Sequence, residues 1–250
     1  MEIHFYAEQI FTVGSVTITN TLITSLFSSV LLIAFSLFVS RRLKLTPDIL
    51  QNVVEFIIET LNNVNVVISG KGARLIFPWF ATFFLFILVS NWTGLLPGFG
   101  SLGFFEHRDG KEIFTPLFRP ANTDLNMTLG LALISLFATH IMSIGVLGVR
   151  EYIGRFISLN PVNLFVGILE IVSEITKVAS LSLRLFGNIF AGEAILITTS
   201  SFFAFIAPLP FMVLETVVGF VQALIFAMLT MVFMTILSTP AIHIKEEVKG

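Results

Sequence analysis

Five apolar stretches, at residues 16–40, 75–96, 125–147, 162–204 and 210–242, decide the environment in which this 250-residue chain can fold. Each is long enough to cross roughly 30 Å of hydrocarbon at about 1.5 Å per helical residue. Only 12% of the residues are charged, about half the share usual in soluble domains. The chain is therefore read as an all-α integral membrane protein, one membrane domain over residues 1–250 with about five spanning helices. A sixth segment, 48–68, carries Glu55 and Glu59 and sets Leu50, Val53, Val54, Ile57, Ile58, Leu61 and Val64 at three- and four-residue spacing. That pattern predicts an amphipathic helix lying at the membrane interface.

Basic residues orient the spans. Nine fall on one side (Arg41, Arg42, Lys44, Lys71, Arg74, Arg150, Arg155, Lys245 and Lys249), against Arg108, Lys111 and Arg119 on the other. The expected topology has the N-terminus outside, the C-terminus in the cytoplasm and residues 97–123 as the largest outer loop. The start, MEIHFYAEQI, lacks a basic n-region, so no cleaved signal peptide is expected. There is no cysteine, and His4, His107, His140 and His243 are scattered, so neither a metal site nor any cofactor is expected. A net charge of −2 gives no hint of nucleic-acid binding. SGKGAR lacks the phosphate-loop spacing and the Ser or Thr after Lys.

The last two stretches are too long for a perpendicular crossing. Residues 161–204 would make about 66 Å of helix, twice the hydrocarbon thickness, with no internal proline. A long, steeply tilted antiparallel hairpin of 162–204 with 210–242, joined through IAPLP, is expected. At about 100° per residue Glu170, Glu174, Lys177, Arg184 and Asn188 share one face of the first helix, and Glu215, Gly219 and Gln222 share one face of the second. Antiparallel register sets Arg184 opposite Gln222, and Glu193 level with Glu215 nearer the outer side. Glu170 and Glu174 lie nearer the cytoplasm.

Ionisable groups inside a membrane face a partner or a wet cavity and are the usual material of proton relays. Lys177 is spaced to pair with Glu170 or Glu174, so a structural ion pair and a transport role are both open. Arg184 has no acid three or four residues away on its helix. Two carboxylates at one depth, Glu193 and Glu215, repel unless one holds a proton, which suits a proton-exchanging site. Asn188 and Gln222 fit that pathway or simple helix-to-helix hydrogen bonding. A secondary transporter or channel is the alternative, but neither inverted repeats nor midplane helix breaks are evident. A purely structural scaffold leaves the depth-matched polar residues unexplained.

These residues carry a resemblance. SLSLRLFGNIFAGE is similar to the signature of subunit a of F-type ATP synthases, and the likeness continues through LVSNWTGLLPG, TDLNMTLGLAL, NPVNLFVGILEIVSEITKVASLSLRLFGN and VGFVQALIFAMLTMVF. The resemblance implies a stator subunit of a bacterial inner membrane. Its implied partners are a c-ring, peripheral-stalk b subunits, the remaining synthase subunits and lipid, with ATP chemistry on other chains and proton as the coupling ion. Arg184 matches the arginine that faces the c-ring carboxylates and separates two half-channels. Asn188, Glu193 and Gln222 match the outer half-channel and interface positions, and Glu170 and Lys177 match inner ones, with Glu174 beside them. Glu215 stands where some relatives have histidine, and Val178 follows Lys177 where proline is common. Asp124 and Asn126 form the family's DxN motif at the outer end of the third span.

Overall fold

The computed structural model of the chain describes residues 8–13, 16–96, 99, 102–108, 111–156, 161–202 and 206–239. A short antiparallel hairpin, β1 (Gln9–Val13) and β2 (Val16–Thr19), leads into helix α1 (Asn20–Ser40). Helix α2 (Ile49–Ser69) is joined by one 3-10 turn, Gly70–Gly72, to α3 (Ala73–Gly94). A second hairpin, β3 (Gly103–Arg108) and β4 (Lys111–Pro116), and a turn at Ala121–Thr123 precede α4 (Leu125–Leu147). The short α5 (Val149–Phe156), α6 (Pro161–Phe202) and α7 (Pro208–Ser238) complete the order.

Helix dominates, as expected, but residues 16–19 form a strand, the 97–123 loop holds a β-hairpin, and α5 is an added element. Among the described residues, four helical stretches are long and apolar enough to cross a membrane: Asn20–Ser40, Ile49–Gly94, Leu125–Leu147 and Pro208–Ser238. The expected five included α6, which is not among these four. It is a continuous helix of 42 residues interrupted chemically, rather than geometrically, by Glu170, Glu174, Lys177, Arg184 and Glu193. Lys245 and Lys249, used in the orientation argument, lie outside the described residues.

The core forms where α3 meets α7. Ile76, Phe80, Phe83, Phe84 and Ile87 of α3 interlock with Ala223, Phe226, Ala227, Met231 and Met234 of α7. The Phe83 and Phe226 rings lie 5.7 Å apart, and Phe84 meets Phe220 edge to face, also at 5.7 Å. Leu131, Ala132 and Ala138 of α4, and Leu181, Leu185 and Ile189 of α6, close the cluster. Buried hydroxyls join helices across it, through Ser135 to Thr230 at 2.8 Å and Thr128 to Ser182 at 3.1 Å. Such bonds suit lipid, where helices gain little from apolar contact alone. The apolar face of α1 is turned outward, with Val30 and Ile33 at least 60% exposed.

Two local features place the polar residues. At Gly167 an added Cβ would lie 2.0 Å from the Phe156 carbonyl oxygen, so the missing side chain lets the end of α5 press against α6. Asp124 is the N-cap of α4: its Oδ1 accepts the Asn126 N–H at 2.9 Å, and its Oδ2 accepts the Thr21 hydroxyl at 3.0 Å. This one buried carboxylate therefore both caps α4 and ties it to α1. Asp124→Ala is expected to lower stability by about 1–2 kcal/mol, while Asp124→Asn, which keeps an acceptor, loses less. Thermal unfolding of the purified protein in detergent measures both.

Candidate functional site

Helix α6 carries the polar residues because its 42 residues extend well past the apolar core it shares with α4 and α7. At its cytoplasm-directed end by the sequence reading, Glu174 is buried and accepts from Lys177 Nζ at 2.7 Å. The same ammonium stands 4.6 Å from the centre of the Phe233 ring on α7. Glu170 meets Arg155 of α5 at 2.8 Å. Arg155 also donates to the Ile236 and Leu237 carbonyls at the end of α7, both at 3.2 Å. Each inner acid therefore has its own cation, and Arg155, counted in the sequence only as a cytoplasmic charge, clasps α5, α6 and α7 together. Tyr152 of α5 completes this corner. Burial pushes its phenol above the ordinary value, Glu174 and Glu170 add to the effect, and Arg155 opposes it.

Two turns further along, Arg184 is exposed and donates to Ser180 Oγ at 3.1 Å. It has no acidic partner among the described residues. Asn188, one turn on, is likewise exposed. Arg184 lies at a groove of about 410 Å³ that also includes Lys177, Ser180, Leu229 and Phe233. Gln222, expected at the depth of Arg184, is buried. The single stripe expected on α6 is thus divided, with Glu174 turned inward and Arg184 and Asn188 outward.

The outer carboxylates, expected at one depth, are engaged by different elements. Glu193 is gripped by Arg119, whose Nε lies 3.0 and 3.2 Å from the two carboxylate oxygens and whose Nη2 reaches Oε2 at 2.9 Å. The side chains are 9% and 16% exposed, so this is a largely buried ion pair. The Arg119 backbone N–H donates to Thr24 Oγ1, fixing the loop to α1. Glu215 is buried against Gly192, where an added Cβ would lie 2.7 Å from its Oε1. Glycine therefore lets the α7 carboxylate approach the α6 backbone beside Glu193. Glu215 Oε2 has no hydrogen-bond partner among the described residues. One turn away, Asn91 donates to the Gly219 carbonyl at 3.0 Å and accepts from Asn122 at 2.8 Å. Asp124 belongs to the α1–α4 junction already described, and the Asn126 side chain is exposed.

Residues 22–235 match the family model described as ATP synthase A chain. The chain belongs to the ATP synthase A chain family. It is 34% identical over 206 residues to ATP synthase subunit a 1 of Pelobacter propionicus, covering 81% of this chain and 80% of that one. Identity to ATP synthase subunit a of Geotalea daltonii is also 34%, with the same coverage. ATP synthase subunit a of Moorella thermoacetica matches at 30% over 92% of this chain and 95% of its own. Membership in the ATP synthase A chain family, with helices of this length and composition, makes the chain a multi-pass bacterial membrane protein of proton-coupled ATP synthesis.

Sequence reasoning missed Arg119, Arg155 and Asn91 as members of the site. Arg119 and Glu193 are 74 positions apart, and only the fold brings them together. The available signal was weak: one arginine at the edge of a loop, five positions before the Asp124 of the DxN motif.

Proposed function

We propose that this chain is the stator element that carries protons to and from the carboxylates of a rotating c-ring, through two half-channels separated by Arg184. The observation that carries the proposal is an exposed arginine on a long helix, without an acidic partner among the described residues, beside a groove. A guanidinium does not shed its proton to escape burial, so its counter-charge must come from another chain. Carboxylates arriving one at a time on a rotor provide it.

The outer pathway runs by Glu193, held by Arg119, and by Glu215 against Gly192, with Asn188 and Gln222 towards the rotor interface. A proton delivered there neutralises a rotor carboxylate, which then turns into lipid, where an ionised acid is costly. After nearly a full turn the acid meets the inner side, where Glu170, Glu174 and Lys177 border a hydrated exit and the approaching Arg184 favours the ionised form. Arg184 also opposes direct passage between the pockets, because a crossing proton must pass a fixed positive charge. The α6–α7 pair presents the surface along which the rotor slides. The further partners are the peripheral-stalk b subunits and the rest of the synthase, in a bacterial inner membrane with the N-terminus outside.

A transporter with a substrate of its own works without a rotor. The purified chain, reconstituted alone in liposomes under an imposed proton gradient, is therefore expected to conduct protons no faster than protein-free vesicles. Flux restored by adding the c-ring supports the reading; fast, selective flux through the chain alone contradicts it.

A further inference from the structure

The inner corner of the fold contains a group that the proposed pathway leaves unused. His140 projects from α4 towards α5 and α6, half-buried, with its Nδ1 2.8 Å from the Tyr152 Oη. The two rings meet edge to face at 5.9 Å, and Phe156 covers the imidazole at 6.5 Å. The charged groups acting on His140 are Glu174, Lys177 and Glu170, all on α6. α5 contributes Tyr152, together with Arg155, which holds Glu170.

Each acid here is already joined to a cation, Glu174 to Lys177 and Glu170 to Arg155. His140 is thus the member of the corner whose ordinary titration range lies between about pH 5 and 8. We propose that His140, oriented by Tyr152, is a proton-exchanging residue on the inner side of the transport path, taking protons released near Glu170 and Glu174 and passing them to the cytoplasmic water. This rests on the inner half-channel reading above and adds to it a specific base.

The chemistry balances within the pair. With the imidazole neutral, the Tyr152 hydroxyl donates to Nδ1 and the ring proton sits on Nε2. A proton taken up at Nδ1 makes that nitrogen the donor, and the phenol oxygen turns to accept it. Release restores the first arrangement, so no atom of the pair is consumed.

The test uses the assembled synthase in proteoliposomes, with ATP synthesis measured against the pH of the inner compartment at constant total driving force. A neutral imidazole is the acceptor, so the wild-type rate is expected to rise with inner pH through an inflection between about pH 5 and 8. His140→Gln should remove that inflection. Tyr152→Phe keeps the ring but deletes the orienting hydroxyl, and should displace the inflection by about half a unit or more. Profiles for both assembled variants that superimpose on wild type, or that are merely scaled down without change of shape, overturn the proposal. Should His140→Gln fail to assemble, the Tyr152→Phe profile decides alone. Failure of the half-channel reading itself appears separately, as normal coupling in Arg184→Ala.

Discussion

Arg119→Ala is expected to cost about 3–5 kcal/mol of stability, because it leaves the Glu193 carboxylate largely buried without its cation. The guanidinium makes three contacts of 2.9–3.2 Å with that carboxylate, while its backbone binds Thr24. The alanine variant keeps the backbone bond and loses the ion pair with Glu193. Proton pumping should fall with it, since Glu193 would hold a proton or move from its place beside Gly192 and Glu215. A double variant, Arg119→Leu with Glu193→Leu, separates the two roles. Well-packed apolar pairs often replace buried ion pairs at no loss of stability, so thermal unfolding should recover most of the deficit while pumping stays low. A loss below about 1 kcal/mol in the single variant, the range of exposed pairs, would show that this bridge does not hold the outer site.

The helices were legible because the apolar runs that a membrane requires also mark where helices begin and end. The expected stretch 125–147 is α4 to the residue, and 48–68 is displaced by one residue from α2. The expected span at 16–40 was too long by the four residues of β2, which are all β-branched, with Val16 and Ile18 apolar, and so continue the run without belonging to the helix. Helix α5 was missed because VREYIGRF is short and polar, and gains its place from contacts with α4 and α6. Its phenylalanine backbone fits against Gly167, and its arginine against Glu170.

The site was legible along the helix axes but not around them. Register by depth brings α7 residue Glu215 to the level of Glu193, as its contact with Gly192 bears out. The direction of each side chain depends on which other elements supply a partner, and Arg119 draws Glu193 towards the loop. Gln222 shares a face with Glu215 and Gly219, and all three are buried. For Arg184 the sequence reading was more telling, because an arginine lacking an acid at helical spacing is also one without an acidic partner among the described residues.

The second large effect concerns Arg184 itself. On the proposed mechanism its charge attracts each rotor carboxylate, favours release of its proton and keeps the two pockets apart, and alanine does none of these. Loss of a fixed charge from such a site is expected to lower coupled turnover by about 100-fold or more. Lysine keeps a charge but not the planar fork of donors, so Arg184→Lys should remain strongly impaired. The most direct measurement is ATP-driven proton pumping by the assembled synthase carrying Arg184→Ala, in vesicles shown to hold the full complement of subunits. The account predicts that pumping is abolished; pumping at the wild-type rate, still coupled to ATP hydrolysis, would contradict it.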